Sequence, residues 1–267
     1  MSYFWTNVSL QRNDLLVRGY QDGKAFASRI PVKPHLYVDD PGGPGEFKTI
    51  DGKPVKKKEF KDVKEIMAFR QKYENVAGFN MYGLQTSKSW YYIYYDYLQD
   101  HFPKEVQYDV VANIDIEVAA DEGFPDPGLA EKPITAIAMQ SGKAVIVFGC
   151  GDFTPQDPDH FYIKCVDEKE LLRKFVDVWR KMNIDVVTGW NIETFDIPYL
   201  VRRIWNVFPG KDYEKKMSPW RNIREGTIVK MGREQYVYKL SGVSQLDYID
   251  LYKKYTYVNQ ESYRLDH

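Results

Sequence analysis

The sequence predicts a mixed α/β (α+β) protein with a β-rich N-terminal unit and a second unit in which strands and helices alternate. Its 267 residues exceed the usual size of a single domain. Residues 1–38 alternate apolar and polar side chains in short runs, which is typical of strands. Residues 168–182 instead space their apolar side chains as a helix does, and a β-branched run follows at 184–187. We therefore expect domains at residues 1–106 and 107–267.

The N-terminal unit begins with two predicted strands, at residues 3–10 and 14–21. Asp22-Gly23 follows the second of them and has the composition of a hairpin turn. The glycines and prolines of residues 39–52 interrupt any regular pattern, so this segment is predicted to be a loop.

A helix is predicted later in the same unit. Apolar side chains recur at helical spacing after Asp62, which is a plausible N-cap, and the pattern ends near Gly78. The aromatic run at residues 90–97 then predicts a further strand.

The second unit starts with a β-branched run at residues 110–118, the pattern of a largely buried strand. Two further strands are predicted at residues 134–139 and 144–148, joined by a turn at Ser141-Gly142. Together the three strands predict an antiparallel meander.

Two carboxylates lie on the first of these strands. Residues two apart in a strand point to the same face, so Asp115 and Glu117 lie side by side while Ile114 and Ile116 face the core. Paired carboxylates repel each other, and a hard cation with a preference for oxygen ligands relieves that repulsion. The pattern therefore indicates a Mg²⁺ or Mn²⁺ site. The alternative is a chance Asp-x-Glu on a strand that faces solvent.

A third carboxylate, Asp196, follows the predicted strand at residues 184–187, where sheets of this kind place ligands. It is thus a candidate partner for the acidic pair. The alternative is that Asp196 caps a helix, since Pro198 suits a first helical turn.

Together these motifs resemble the first two exonuclease motifs of the family B DNA polymerases. The motifs are Asp115-Ile-Glu117 and Asn191-x-x-x-Phe195-Asp196, and the likeness is greatest to the polymerases of T-even-type bacteriophages. The further segments that match start at Phe124 (Phe-Pro-Asp-Pro), Thr188 (Thr-Gly-Trp-Asn-Ile-Glu), Asp196 (Asp-Ile-Pro-Tyr) and Leu246 (Leu-Asp-Tyr-Ile-Asp-Leu-Tyr-Lys-Lys). The match is specific from residue 110 onward and only general before it.

The resemblance implies an RNase H-like exonuclease domain with a two-metal site that removes nucleotides from single-stranded 3′ ends during proofreading. In such a site Asp115 bridges both ions, Glu117 holds one ion and orients the attacking water, and Asp196 supports the other. Phe124 stacks on the frayed terminal bases, and Asn191 and Phe195 contact DNA. Phe124 has an alternative interpretation as an ordinary loop-packing residue.

The family's third motif, Tyr-x-x-x-Asp, is expected downstream of the Leu246 segment. Its pattern occurs once in this sequence, from Tyr92 to Asp96, ahead of the first motif. We therefore expect an incomplete exonuclease domain with weak or no activity by itself. The palm, fingers and thumb are expected in the rest of a longer chain or in a second one, and a sliding clamp and other replication proteins are possible partners through them.

Basic residues surround two extended runs, at residues 227–230 and 235–240, that predict a protruding hairpin. Arg224, Lys230 and Arg233 are candidate phosphate contacts on primer-template DNA. In similar polymerases a hairpin at this place helps to separate the primer end from the template. The alternative is a solvated charged surface.

Composition excludes several other classes. The net charge of -1 gives no overall attraction for nucleic acid, and the two cysteines and four histidines have no zinc-ligand spacing. The sequence has neither a signal peptide nor a membrane-length apolar run, which predicts a cytoplasmic protein, of a bacterial host if a phage encodes it. One rival function is left open, a non-catalytic module that binds single-stranded nucleic acid. A free-standing exonuclease that acts on RNA or small substrates is disfavoured, because it would also need the third motif.

Overall fold

The structure, a computed structural model, divides into two compact units, Met1–Gln107 and Tyr108–His267. The described residues are 3–43, 45–83, 110–119, 123–230, 232–256 and 263. Each unit is described by itself.

The first unit opens with an antiparallel sheet of three strands, β1 (Tyr3–Gln11), β2 (Asp14–Gln21) and β3 (Lys24–Pro31). Asp22 and Gly23 connect the last two strands with φ angles of 51° and 76°. Positive φ at both central residues matches the twist of a two-residue hairpin turn, and Asp-Gly adopts it at little strain. The predicted strands and turn are confirmed here.

The strands of a second antiparallel sheet are β4 (His35–Asp39), β5 (Phe47–Lys48), β6 (Pro54–Glu59) and β7 (Met81–Tyr82). They lie in the order β5-β6-β4-β7. The short strand β5 lies within the segment predicted to be all loop, because β6 supplies backbone partners that the local sequence does not reveal.

Helix α1 (Val63–Tyr73) packs against this sheet through the buried Ile66. Asp62 caps it as predicted, since its carboxylate accepts the Glu65 amide at 2.8 Å. The helix ends at Tyr73, so the predicted end near Gly78 is wrong. The strand predicted for residues 90–97 lies outside the described residues.

The second unit is built on a mixed sheet of six strands in the order β11-β10-β9-β8-β12-β15. Strands β8, β9 and β10 form the predicted antiparallel meander, while β11, β12 and β15 join through parallel pairs. The strands are β8 (Val111–Val118), β9 (Ile134–Ser141), β10 (Ala144–Gly149), β11 (His160–Lys164), β12 (Val186–Gly189) and β15 (Ser244–Asp247). The edge strand β11 was not predicted.

Within the described residues of the second unit, three α-helices and a short 3-10 helix accompany the sheet: α2 (Glu168–Met182), α3 (Asp196–Val207), the 3-10 helix (Glu214–Met217) and α4 (Tyr248–Tyr255). Helices α2 and α3 bury their apolar faces in one core with the sheet. Arg203 of α3 pairs with Glu168 of α2 through two contacts of 2.7 Å, so the two helices are also joined by a partly buried ion pair. None of the helices described is long and apolar enough to cross a membrane.

The predicted hairpin is present as β13 (Ile223–Lys230) and β14 (Arg233–Leu240). Gln245 of β15 accepts the Leu240 amide at 3.1 Å and donates to the Tyr238 carbonyl at 2.9 Å. These side-chain bonds hold β14 beside β15. At the turn end of the hairpin, the Lys230 ammonium lies 3.0 Å from an oxygen of Asp250 in α4. The hairpin therefore contacts the unit at both of its ends, and the prediction that it protrudes is wrong.

Candidate active site

The two predicted acids on β8 share its exposed face. Burial alternates along the strand, so Asp115 and Glu117 are exposed while Ile114 and Ile116 are 3% and 5% exposed. The strand is therefore buried on one face only, whereas the sequence predicted a largely buried strand. Because one face is open, both carboxylates can reach a ligand from solvent.

Asp196 reaches the same strand from another element. It is the first residue of α3, is 3% exposed, and accepts the Ile116 amide through Oδ1 at 3.1 Å. The pairing of β12 with β8 ends at Thr188 and Asn113, before Ile116. Beyond that point, the Asp196 carboxylate replaces the neighbouring strand as the hydrogen-bond acceptor for the Ile116 amide. Asp196 is thus not the helix cap of the alternative interpretation, and it lies against the backbone between Asp115 and Glu117.

Burial and charge disfavour the ionised form of Asp196. Burial, followed by the negative charge of Asp115, raises the pKa of Asp196 to about 7, although the bond from the Ile116 amide opposes this shift. Burial also raises the pKa of Asp115. Within the described part of the chain, no lysine or arginine forms an ion pair with Asp115, Glu117 or Asp196. This set of hard oxygen donors without a counter-charge fits a divalent cation such as Mg²⁺ or Mn²⁺.

The most compact acidic group among the described residues is a different one. Glu193, Asp247 and Asp250 have carboxylate oxygens within 4.8 Å of one another. The carboxylate oxygens of the three predicted acids, Asp115, Glu117 and Asp196, do not all lie this close to one another. The structure thus places Asp115, Glu117 and Asp196 around one stretch of β8 with room between their oxygens.

The loop from β12 to α3 carries the predicted DNA-contacting residues Asn191 and Phe195. Asn191 has a φ of 63°, in the left-handed region that asparagine tolerates better than most residues. Its side-chain oxygen accepts the Thr194 hydroxyl at 2.6 Å, and its carbonyl accepts the Phe195 amide at 3.0 Å. The loop is therefore closed by its own hydrogen bonds just before Asp196.

Phe124 lies over this loop and remains mostly exposed. Its ring is 78% exposed, and the ring centroid is 4.9 Å from that of Phe195 at an angle of 46°. Phe195 in turn packs against the buried Tyr199 at 5.7 Å. One part of the Phe124 ring thus packs in the loop while the rest is available for stacking.

The three basic residues predicted to contact DNA lie on the hairpin in different surroundings. Arg224 and Arg233 are exposed. Lys230 is much less accessible to DNA, because its side chain is only 19% exposed. Its ammonium lies 3.0 Å from an Asp250 oxygen and 3.9 Å from an Asp247 oxygen.

Sequence reasoning missed two residues that shape the loop. The buried Asp247 carboxylate accepts the amides of Asn191 and Glu193 at 2.9 and 3.1 Å. The Trp190 indole donates to the Tyr263 carbonyl at 2.9 Å. Both residues belong to segments that carry the family resemblance, and this was the only signal for them in the sequence.

The mixed sheet thus brings two exposed acids of β8 beside a buried third one, which is the donor set that the sequence predicted for a divalent-metal site. The family model described as "DNA polymerase family B, exonuclease domain" matches residues 60–267. This chain belongs to that family. The expected mixed α/β fold and the identification as an exonuclease domain of this family are thereby confirmed.

The most informative relatives are bacteriophage enzymes. The chain is 32% identical to the DNA-directed DNA polymerase of Escherichia phage RB69 and 27% identical to that of enterobacteria phage T4. Both matches cover 100% of this chain and 32% of the relative, so the chain spans about a third of their length. The DNA polymerase catalytic subunit of human herpesvirus 8 is 24% identical over 51% of this chain and 15% of its own length.

Proposed function

We propose that this chain carries the 3′→5′ proofreading exonuclease unit of a replicative DNA-directed DNA polymerase and hydrolyses nucleotides from single-stranded 3′ ends. The observation that carries the proposal is the position of Asp196. A buried carboxyl with a raised pKa, held against β8 between Asp115 and Glu117, has no described counter-cation. A bound cation would neutralise this group in its ionised form.

Asp115, Glu117 and Asp196 are the residues that would hold the metal ions, with Mg²⁺ or Mn²⁺ as the fitting choices. When bound, a pair of such ions activates water as a nucleophile and stabilises the departing 3′ oxygen. The hydrogen bond from Ile116 fixes the Asp196 carboxylate. Asp115 and Glu117 lie on the open face, where they can adjust to the ions and to the scissile phosphate.

The exposed ring of Phe124 supports a single-stranded substrate. A base can stack on an aromatic ring whatever its identity, at about 1–3 kcal/mol per base, which suits an enzyme that accepts any 3′ nucleotide. Arg224 and Arg233 offer charges for the phosphate backbone from the hairpin.

The relatives also support an inference about partners. Since the chain spans about a third of the phage polymerases, we infer that palm, fingers and thumb domains complete the enzyme, in one chain or in two. Primer-template DNA is then the shared substrate, and a sliding clamp and other replication proteins act through the remaining domains. The phage relatives support the cytoplasm of a bacterial host as the place of action.

The proposal is tested by Mn²⁺ binding and by cleavage of single-stranded DNA labelled at its 5′ end. We expect Mn²⁺ binding that is lost in Asp115→Ala and retained in the control Asp177→Asn, an exposed acid on α2. We expect cleavage by these 267 residues to be slow or undetectable, because a Tyr-x-x-x-Asp motif does not follow Asp196 in them.

The rival function gives a different result. A non-catalytic module would bind single-stranded DNA in excess chelator, and the binding would survive Asp115→Ala. That result, together with Mn²⁺ binding that does not depend on Asp115, would contradict the proposal.

A further inference from the structure

The hairpin places a lysine among three crowded acids. The carboxylate oxygens of Glu193, Asp247 and Asp250 lie within 4.8 Å of one another. Lys230, the last residue of β13, places its ammonium 3.0 Å from an Asp250 oxygen and 3.9 Å from an Asp247 oxygen, at an angle that makes it an ion pair rather than a hydrogen bond. One positive charge therefore faces three negative ones, and like charges this close repel unless a cation is present.

Asp247 uses both of its oxygens to hold the loop from β12 to α3. Oδ1 accepts the amides of Asn191 at 2.9 Å and Ile249 at 3.1 Å, and Oδ2 accepts the Glu193 amide at 3.1 Å. The residue is 8% exposed, so little water competes for these bonds. Because charge-assisted hydrogen bonds are the stronger kind, this carboxylate sets the position of the loop.

Hydrogen bonds within the loop connect Asp247 to the candidate active site. The Asn191 carbonyl accepts the Phe195 amide at 3.0 Å, and the Ile192 carbonyl accepts the Ile197 amide at 3.0 Å. Asp196 stands between these two anchored amides and binds the Ile116 amide of β8. A continuous set of hydrogen bonds thus runs from Asp247 to the Asp196 carboxylate.

We infer that Asp247 is a positioning residue for Asp196 and that the hairpin, through Lys230, keeps it in place. When Lys230 is withdrawn, the three acids lose their counter-charge and separate, the loop loses its anchor, and the Asp196 carboxylate leaves the Ile116 amide. Seating of the hairpin is therefore coupled to the geometry of the exonuclease acids. The catalytic consequence rests on the proposed function, whereas the coupling itself can be measured without metal.

The experiment measures amide hydrogen exchange by NMR in the metal-free protein, at Asn191, Glu193 and Ile116. In Lys230→Met we expect exchange at all three amides to be about tenfold faster, the effect of losing about one net hydrogen bond. Lys239→Met is the matched control, since Lys239 is an exposed lysine on the other strand of the hairpin. Amides within α2 correct for any change in global stability.

Two further variants separate positioning from folding. In Asp247→Asn one oxygen acceptor remains, so we expect a folded protein with the same three amides affected. The double variant Lys230→Asp with Asp250→Lys restores an opposite-charge pair, and we expect it to return exchange at Ile116 most of the way to the wild-type rate. A residue with only a structural role would change all amides alike and would not be rescued by the swap.

Mn²⁺ affinity completes the experiment. If the acids bind metal as proposed, Lys230→Met and Asp247→Asn weaken Mn²⁺ binding about tenfold or more, as changes to the partners of metal ligands do. Mn²⁺ binding that does not depend on Asp115 would contradict the proposed function. The coupling between the hairpin and Asp196 would still be tested by the exchange rate of the Ile116 amide. Exchange at Ile116 that is the same in Lys230→Met and Lys239→Met overturns the inference, even where Asn191 and Glu193 exchange faster.

Discussion

Replacing Asp196 with asparagine should stabilise the metal-free protein at neutral and alkaline pH. Folding raises the pKa of this carboxyl from 3.8 to about 7, chiefly by burial. Between these values the unfolded chain is ionised while the folded protein keeps the proton. The contribution of Asp196 to the free energy of unfolding is therefore largest below pH 4, falls as the pH rises to about 7, and then stays low.

The magnitude follows from the size of the shift. A change of about three pKa units corresponds to about 4 kcal/mol at about 1.36 kcal/mol per unit. Asparagine carries no proton to lose, and its side-chain oxygen can still accept the Ile116 amide. We expect Asp196→Asn to raise the free energy of unfolding by up to about 4 kcal/mol at pH 8, and by less than half of that at pH 5.

Urea unfolding in the presence of a chelator measures this difference. Tryptophan fluorescence is a suitable signal, because Trp179, Trp190, Trp205 and Trp220 all belong to the second unit. Added Mn²⁺ should stabilise the wild type more than the variant, since the variant keeps only two of the three proposed ligands, Asp115 and Glu117. A stability difference that is the same at pH 5 and pH 8 would refute the reasoning.

Three other substitutions test separate parts of the structure. Phe124→Ala should weaken binding of single-stranded DNA about tenfold, measured by fluorescence anisotropy, while thermal unfolding stays unchanged because the ring is 78% exposed. Arg203→Met should lower the free energy of unfolding by about 3–5 kcal/mol in urea, since the partly buried Glu168 loses its counter-charge and keeps only the bond from the Ile134 amide among its described contacts. Gly189→Ala should destabilise by about 1–3 kcal/mol in the same assay and weaken Mn²⁺ binding, because its Cβ would lie 2.5 Å from the Ile114 carbonyl oxygen. Unchanged affinity in the first case, or unchanged stability in the other two, would contradict these expectations.

Sequence patterns predicted correctly those features that depend on neighbouring residues alone. The spacing of apolar residues at 168–182 predicted α2 with the bounds it has. Strand alternation likewise predicted that Asp115 and Glu117 share a face, which the structure bears out. The end of α1 shows the limit of the same approach. The sequence pattern placed it near Gly78, whereas the helix ends at Tyr73.

Contacts between distant segments were not predictable in this way. Asp196 and Ile116 are 80 residues apart, and their hydrogen bond exists only because the pairing of β12 with β8 stops short of Ile116. Taken by itself, Asp196 was more readily a helix cap than a site residue, and only its combination with the other motifs favoured the site. Lys230 is a similar case, because a lysine on a hairpin suggests a phosphate contact until Asp247 and Asp250 are seen beside it.

The three acids also differ in how firmly they are held, and this difference has a physical reason. A carboxylate that is buried and bonded to the backbone, as Asp196 is, has little freedom to move toward a ligand. Asp115 and Glu117 lie on the open face, where their oxygens could adjust to a cation if the acids bind metal as proposed. A site with one fixed acid and two adjustable ones needs accurate placement of the fixed one. Control of that placement through Asp247 and Lys230 would therefore act on the whole site through a single residue.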